Sequence, residues 1–314
     1  MRNTIFMALL LAGLGAAPPY AQAHDLMTLD ELMDAFGWDF DSAEIEAEQH
    51  GDGLYVLFGL GGNIAVSIGA DGVLIVDDQF PQLVPKIEAK IAELGGGAVD
   101  FAINTHWHFD HAEGNLALGP QGSWLVAQAN SRRMMADAHV INLVAMQYEQ
   151  QAYPEDARPA ITFDETMQFH FNGERIDLLH FGPAHTTGDA AVIFRGRNAV
   201  HMGDVFNNSG YPFIDADNGG DLDGMIHFCE SVLAEIDEDT TVIPGHGPVT
   251  DYQALVDYIH MLKTVRTAIM DLMAEGADLE AVLEAKPTAP FDEAFGDPSG
   301  FVNRAYTSLQ KAGG

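Results

Sequence analysis

Cysteine is almost absent from this chain: Cys229 is the only one among 314 residues. A lone thiol cannot close an intrachain disulfide even in an oxidising compartment, so packing and bound ions have to hold the fold. Basic residues are scarce as well, 14 Lys and Arg against 47 Asp and Glu, for a formal net charge of −33. Such a surface repels nucleic acid and anionic lipid and disfavours polyanionic substrates at long range. An acid-rich surface suited to salty surroundings accounts for the charge equally well. No lysine occurs between Lys90 and Lys263. Internal repeats and low-complexity tracts are missing. Apolar residues are not: they make up 47% of the chain, enough for a substantial core and too many for a disordered protein.

The first residues form a unit of their own. Arg2 precedes an uncharged, mostly apolar run from Ile5 to Ala17, followed by Pro18, Pro19 and the small-residue triplet Ala21-Gln22-Ala23. This pattern predicts a secretory signal peptide, residues 1–23, cut after Ala23, and hence a periplasmic or secreted protein. The apolar run is short for a membrane span, and no basic stop-transfer segment follows it. A second uncharged window, Gly53 to Ala70, has a Gly-rich centre flanked by β-formers, which predicts two buried strands joined by a turn. No membrane association is therefore expected after signal cleavage.

Residues 24–52 are acidic, with Leu26, Leu29, Leu32, Met33 and Phe36 at helical spacing, and read as a short helix or an arm lying on the domain. The domain proper is expected over 53–275, and a tail with one short helix and a Pro/Gly-rich end over 276–314. Within the domain, strand patterns cover Leu54–Phe58, Asn63–Ile68, Val73–Val76 and Val99–Asn104, with an amphipathic helix between Pro81 and Leu94. Residues 115–128 read as helix, turn and strand, and Ala129–Gln151 as a longer helix. Short strands recur from Ile161 to Val205. Helices are expected at Leu222–Ile236 and Thr250–Ala274, with a strand at Thr241–Ile243. Strands followed by helix, strand and loop, twice over, predict an α/β fold with helices on both outer faces of two sheets.

The chemistry concentrates in Thr105-His106-Trp107-His108-Phe109-Asp110-His111, placed where a strand ends. On an extended backbone alternate residues face one way. His106, His108 and Asp110 would then project together, with Trp107 and Phe109 pointing back as anchors and His111 starting the next turn. Four ligand-type groups so close would stay unsatisfied in a core, and a divalent cation resolves that. Further along stand Gly182-Pro183-Ala184-His185-Thr186, His201-Met202-Gly203-Asp204 and Pro244-Gly245-His246-Gly247, with glycines that let loops turn sharply. His24, His50, His139, His170, His180, His227 and His260 lack such spacing and read as surface or strand residues. His201 and Cys229 read as structural.

His106-x-His108-x-Asp110-His111, with His185, Asp204 and His246 following in order, resembles the signature of the metallo-β-lactamase superfamily. The resemblance implies a four-layer αβ/βα sandwich with metals at one edge. It also implies that His106, His108 and His185 bind one metal, that Asp110, His111 and His246 bind another, and that Asp204 bridges them. Nitrogen and carboxylate ligands without thiolate suit Zn2+, two per chain, although iron and manganese accept the same set. The implied activity is hydrolysis by a metal-bridging hydroxide, with Asp110 as the catalytic residue that orients it and passes its proton to the leaving group.

Two departures bear on the substrate. Asp204 stands where the cysteine-ligand β-lactamases carry cysteine. Asn207 stands three residues on, where those enzymes place a carboxylate-gripping lysine. The shortage of cations also argues against the nuclease and glutathione-thioester branches. The expected partner is a small molecule: a neutral or weakly charged ester, lactone, lactam or amide. Leu60 is a candidate apolar flap, and Tyr211 and Phe213 are candidate pocket walls. Two other classes share the motif pattern: iron-dependent persulfide dioxygenases and a non-catalytic metal-binding protein. No feature of the sequence specifies an oligomeric state.

Overall fold

The computed structural model describes residues 26–313. The expected signal peptide and its cleavage site lie outside the described residues. Helix α1 (Leu29–Phe36) opens with a capping box between Thr28 and Glu31 and buries Leu32 and Met33. The first sheet follows as a meander of β1 (Glu46–Gly51), β2 (Leu54–Phe58), β3 (Ile64–Gly69) and β4 (Gly72–Val76). Helix α2 (Val84–Glu93) then leads to β5 (Phe101–Asn104), parallel to β4. The short α3 (Phe109–Ala112) and α4 (Asn115–Gln121) precede β6 (Trp124–Gln128), parallel to β5.

After α5 (Ala129–Met134) the chain makes a separate hairpin, β7 (His139–Asn142) with β8 (Gln147–Gln150), and then β9 (Ile161–Phe163) completes the seven-stranded sheet. The second sheet has six strands in sequence order: β10 (Thr166–Phe171), β11 (Glu174–Leu179), β12 (Ala191–Phe194), β13 (Ala199–His201), β14 (Thr241–Ile243) and β15 (Thr250–Asp251). Helix α6 (Leu222–Leu233) sits between β13 and β14. Helices α7 (Tyr252–Ala274), α8 (Leu279–Ala285), α9 (Asp292–Phe295) and α10 (Ser299–Ala312) close the chain.

Three apolar layers separate four structural ones. Between the sheets, Leu54, Val56, Leu74, Ile103 and Val126 meet Ile176, Leu178, Val192, Phe194 and Ile243. Ile64, Val66, Val73 and Ile75 face outward onto α1, α2 and α4. Val200 and Val242 face α6, α7 and α10. Strand residues buried on both faces explain why these strands read as continuous apolar runs rather than alternating ones. The predicted αβ/βα sandwich is the fold observed. Among the described residues no helix is long and apolar enough to cross a membrane.

Three expectations fail. Ala129–Gln151 is not one helix: α5 ends after a turn and a half, and Val144, at φ 70°, turns the β7–β8 hairpin. The β-branched pair Val140-Ile141 and the alternation that buries Tyr148 and Gln150 outweigh the apparent helical spacing. The boundary drawn at Gly53 cuts a hairpin, because β1 pairs with β2 and belongs to the sheet. The segment beyond residue 276 holds three helices rather than one, α8, α9 and α10, and Val282, Phe301, Val302, Ala305 and Leu309 pack into the core of the second sheet.

Candidate metal centre

The two sheets present a common rim. The turn after β2, the carboxyl ends of β4 and β5, the β11–β12 loop and the loops after β13 and β14 all meet there. Parallel pairing of β13 with β14 sets Asp204 beside the His246 loop, and the Gly245 N–H donates to the carbonyls of Gly203 and Phe206. A Cβ at Gly245 would strike the Asp204 carboxylate and one at Gly62 the His111 ring, so both approaches require glycine.

All seven residues singled out in the sequence come together. His106, His108 and His185 form one group of inward-facing ligand atoms, and Asp110, His111 and His246 form another, each within 4.8 Å. Asp204 stands between them, with Oδ1 3.0 Å from His111 Nε2 and 3.4 Å from His246 Nε2, and Oδ2 3.7 Å from His185 Nε2. Asp110 Oδ2 lies 3.2 Å from His246 Nε2. The local backbone differs from the expected extended run. His108 is the extended residue before α3, so Asp110 and His111 reach the cluster from a helical turn. Trp107 and Phe109 do point back: both are buried, Trp107 accepting from Gln150 through its carbonyl and Phe109 packing on Tyr148.

Hydrogen bonds on the outer side fix which ring nitrogen faces inward. Thr105 donates its hydroxyl proton to Asp77 at 2.9 Å, so towards His106 Nδ1 it acts as acceptor, and His106 Nε2 keeps its lone pair. His111 Nδ1 donates to Asp77 Oδ2 at 2.7 Å, His185 Nδ1 to the Phe213 carbonyl at 2.8 Å, and His108 Nε2 to Asp215 Oδ2 at 3.0 Å. In the singly protonated rings four inward lone pairs therefore converge, and on His111 the second proton that Asp204 and Asp110 favour is the one a metal would displace. His185 Nε2 faces His108 Nδ1 at 2.8 Å, and the buried His106 Nε2 has no hydrogen-bond partner among the described residues. Lone pairs so arranged repel unless a proton or a cation sits among them, so the donor set fits a metal.

The two halves differ electrostatically. Burial and the neighbouring imidazoles push His106 well below its ordinary value, and His185 to about 4. Burial also opposes charge on His111 and His246, but Asp204 and Asp110 outweigh it, holding His111 well above the usual range and His246 at about 10. In return, the His246 and His111 charges overcome burial and keep Asp204 well below the carboxylate range. The tri-histidine half is closed, while Asp110, Asp204 and His246 keep 13, 14 and 23% of their side-chain surface exposed. The solvent-accessible side of the cluster is therefore the one lined by Asp110, Asp204 and His246.

Sequence reasoning did not single out Asp77, Thr105, Asp215 or Asn63. Asp77 had a faint signal, a carboxylate directly after an apolar strand, and its φ of 65° aims it at His111. Asn63 donates through Nδ2 to the Pro244 and Gly247 carbonyls, at 2.9 and 2.8 Å, and through its backbone N–H to Gly245 at 2.7 Å. Its own carbonyl accepts from His201 Nε2, which explains why that histidine is structural. Cys229 is buried in α6. Phe213 lies 5.7 Å from the His185 ring and 6.0 Å from His108. Tyr211, by contrast, turns away, stacking on Phe301 and donating its hydroxyl to Asp292.

A sequence profile of the metallo-beta-lactamase superfamily matches residues 57–253. The chain belongs to this superfamily. Among solved structures it resembles the DIM-1 metallo-beta-lactamase at 18% identity and TM-score 0.57, covering 70% of this chain and 98% of that one. It resembles a metallo-beta-lactamase from Pontibacter korlensis at 16% identity and TM-score 0.57, covering 70% and 99%. TMB-1 is similar at 16% identity, TM-score 0.54 and 70% and 97% coverage. At these identities the likeness is one of fold. No curated protein matches the sequence.

Proposed function

We propose that this chain is an exported, two-zinc hydrolase of neutral or weakly charged esters, lactones, lactams or amides. The observation that carries the reading is the convergence of two ligand trios on either side of Asp204, with the lone pairs of His106, His108, His111 and His185 turned inward. His106, His108 and His185 would hold one zinc and Asp110, His111 and His246 the other, with Asp204 shared. Bound zinc supplies acidified water, with a pKa of about 7, and polarisation of the scissile carbonyl.

The protein's own groups do the rest. The Asp110 carboxylate is held below its usual range: burial would raise it, but the positive charge of His111 and His246 prevails, and a bound zinc would supply charge of the same sign there, so Asp110 would stay ionised and could orient a water and accept its proton. Phe213 offers an apolar wall beside His108 and His185. The absence of lysine from Lys90 to Lys263 and the presence of Asn207 favour an uncharged substrate over a carboxylate-bearing one. The leader-like pattern of Arg2, Ile5 to Ala17 and Ala21-Gln22-Ala23 supports export.

The test is a panel of ester, lactone, lactam, amide and phosphodiester substrates on protein whose zinc, iron and manganese have been quantified, with Asp110→Asn alongside. Turnover of a neutral acyl substrate by zinc-loaded protein, reduced at least a hundredfold in the variant, is expected. Iron with oxygen uptake would instead make it an oxidoreductase. Full activity in the variant would remove Asp110 from its role.

A further inference from the structure

The superfamily profile ends at residue 253, but the helices after it reach back to the segment that holds two of the ligands from behind. His108 and His185 each rely on one outer partner, Asp215 Oδ2 and the Phe213 carbonyl, and both partners belong to the short segment 211–218. That segment is gripped from its far side by C-terminal residues. Tyr211 donates its hydroxyl to Asp292 at 2.9 Å, and its ring stacks on Phe301 at 5.3 Å and 11°. The Ala216 carbonyl accepts from Lys311 Nζ at 2.7 Å. Asp217 accepts from Arg304 at 2.6 Å and from Lys311 at 3.2 Å.

Arg304 is only 6% exposed and is steadied by Asn303, so two of the chain's 14 basic residues meet on a single carboxylate. Asp217 also takes Asn142 of the β7–β8 hairpin, and Asn218 ties Asp215 to the Val140 carbonyl. His111, the His246 loop and, through Thr105, His106 are held differently: the partners of Asp77 and Asn63 among the described residues precede residue 253.

We propose that the C-terminal helices brace His108 and His185 in the tri-histidine half of the centre, with Arg304 and Lys311 acting as positioning residues for His108 through Asp217 and Asp215. The inference rests on the metal-centre reading. A chain that orients a ligand in this way controls how tightly that ligand's metal is held, and loss of an outer partner typically weakens binding about 10–100-fold.

The test uses full-length protein stripped of metal and titrated with Zn2+ against a chromophoric chelator, so that the stepwise affinities are read without activity. Arg304→Ala is expected to weaken one of the two affinities about tenfold and leave the other within about twofold. Lys311→Ala, on a side chain that is 54% exposed, should give a smaller loss at the same step. Arg304→Lys should recover most of the affinity. On an Asp215→Asn background Arg304→Ala should add nothing, because both changes act along one path. Equal weakening of both steps, additive losses, or unchanged affinities with only a lowered Tm would overturn the brace. Wild-type protein that takes up no zinc would sink the metal centre and the brace together. Normal wild-type loading with unaffected variants would sink the brace alone.

Discussion

Asp77 and His111 form the tightest outer contact of the centre, a carboxylate–imidazole hydrogen bond of 2.7 Å in which neither side chain is exposed. The same carboxylate accepts from the Thr105 N–H and hydroxyl, so one buried acid sets the orientation of His111 directly and of His106 through Thr105. Asp77→Asn keeps the shape but turns a donor towards one of these groups. Zinc affinity should fall about 10–100-fold with little change in the far-ultraviolet circular dichroism spectrum. Unaltered affinity in a chelator competition would show that the imidazoles hold their orientation without it.

Asn63 ties the β2–β3 turn to the His246 loop. In Asn63→Ala the buried Pro244 carbonyl and the half-buried Gly247 carbonyl lose their donor, and the expected cost is about 1–3 kcal/mol in urea unfolding of the metal-free protein. The variant should also bind its second zinc more weakly, because His246 is freed to move.

Metal removal should be visible as lost stability. A centre loaded a thousandfold above its Kd stabilises by about 4 kcal/mol, and for a domain of this size each kcal/mol is worth roughly 2–4 °C. Chelator-treated protein should therefore melt about 10 °C lower in scanning calorimetry and recover when zinc is restored. An unchanged Tm would mean that the cluster holds together without a cation.

Asp189 is buried under the His185 loop, where it accepts from the Thr186 N–H and hydroxyl. Burial pushes its carboxyl up to about 6, against the hydrogen bonds from Thr186. A raised acid contributes stability that is complete below its unfolded value near 4 and is lost as pH rises through 6. Asp189→Asn, whose amide fits the same donors and the Thr186 oxygen, lacks that term. Wild type should lose roughly 2–3 kcal/mol relative to the variant between about pH 4 and pH 7, measured by urea unfolding at each pH. Parallel curves for the two proteins would refute this.

The seven inward-facing residues were legible because their spacing and their glycine neighbours are local properties of the chain. The strands were legible for a similar reason: Leu54–Phe58 and Thr241–Ile243 were predicted at the residues where they occur. The groups behind the ligands were not. Asp215 stands 107 residues from His108 and carries no local mark of its partner. Asn63 meets the His246 loop across more than 180 residues. Helical spacing misled at Ala129–Gln151 because Ile141 and Tyr148 are buried by strand pairing and by α1, which a one-dimensional pattern does not contain.

Among the described residues no strand pairs with the outer side of β1, which is one border of the seven-stranded sheet and exposes Glu46 and Glu48. Unpaired backbone groups on such a border invite strand addition from another molecule, and like charges deter it. This deterrent is electrostatic, so dissolved salt screens it within about 10 Å at 0.1 M ionic strength. At high ionic strength the border loses its charge protection while its backbone groups remain available for pairing. Salt-induced clumping would then begin from molecules joining edge to edge.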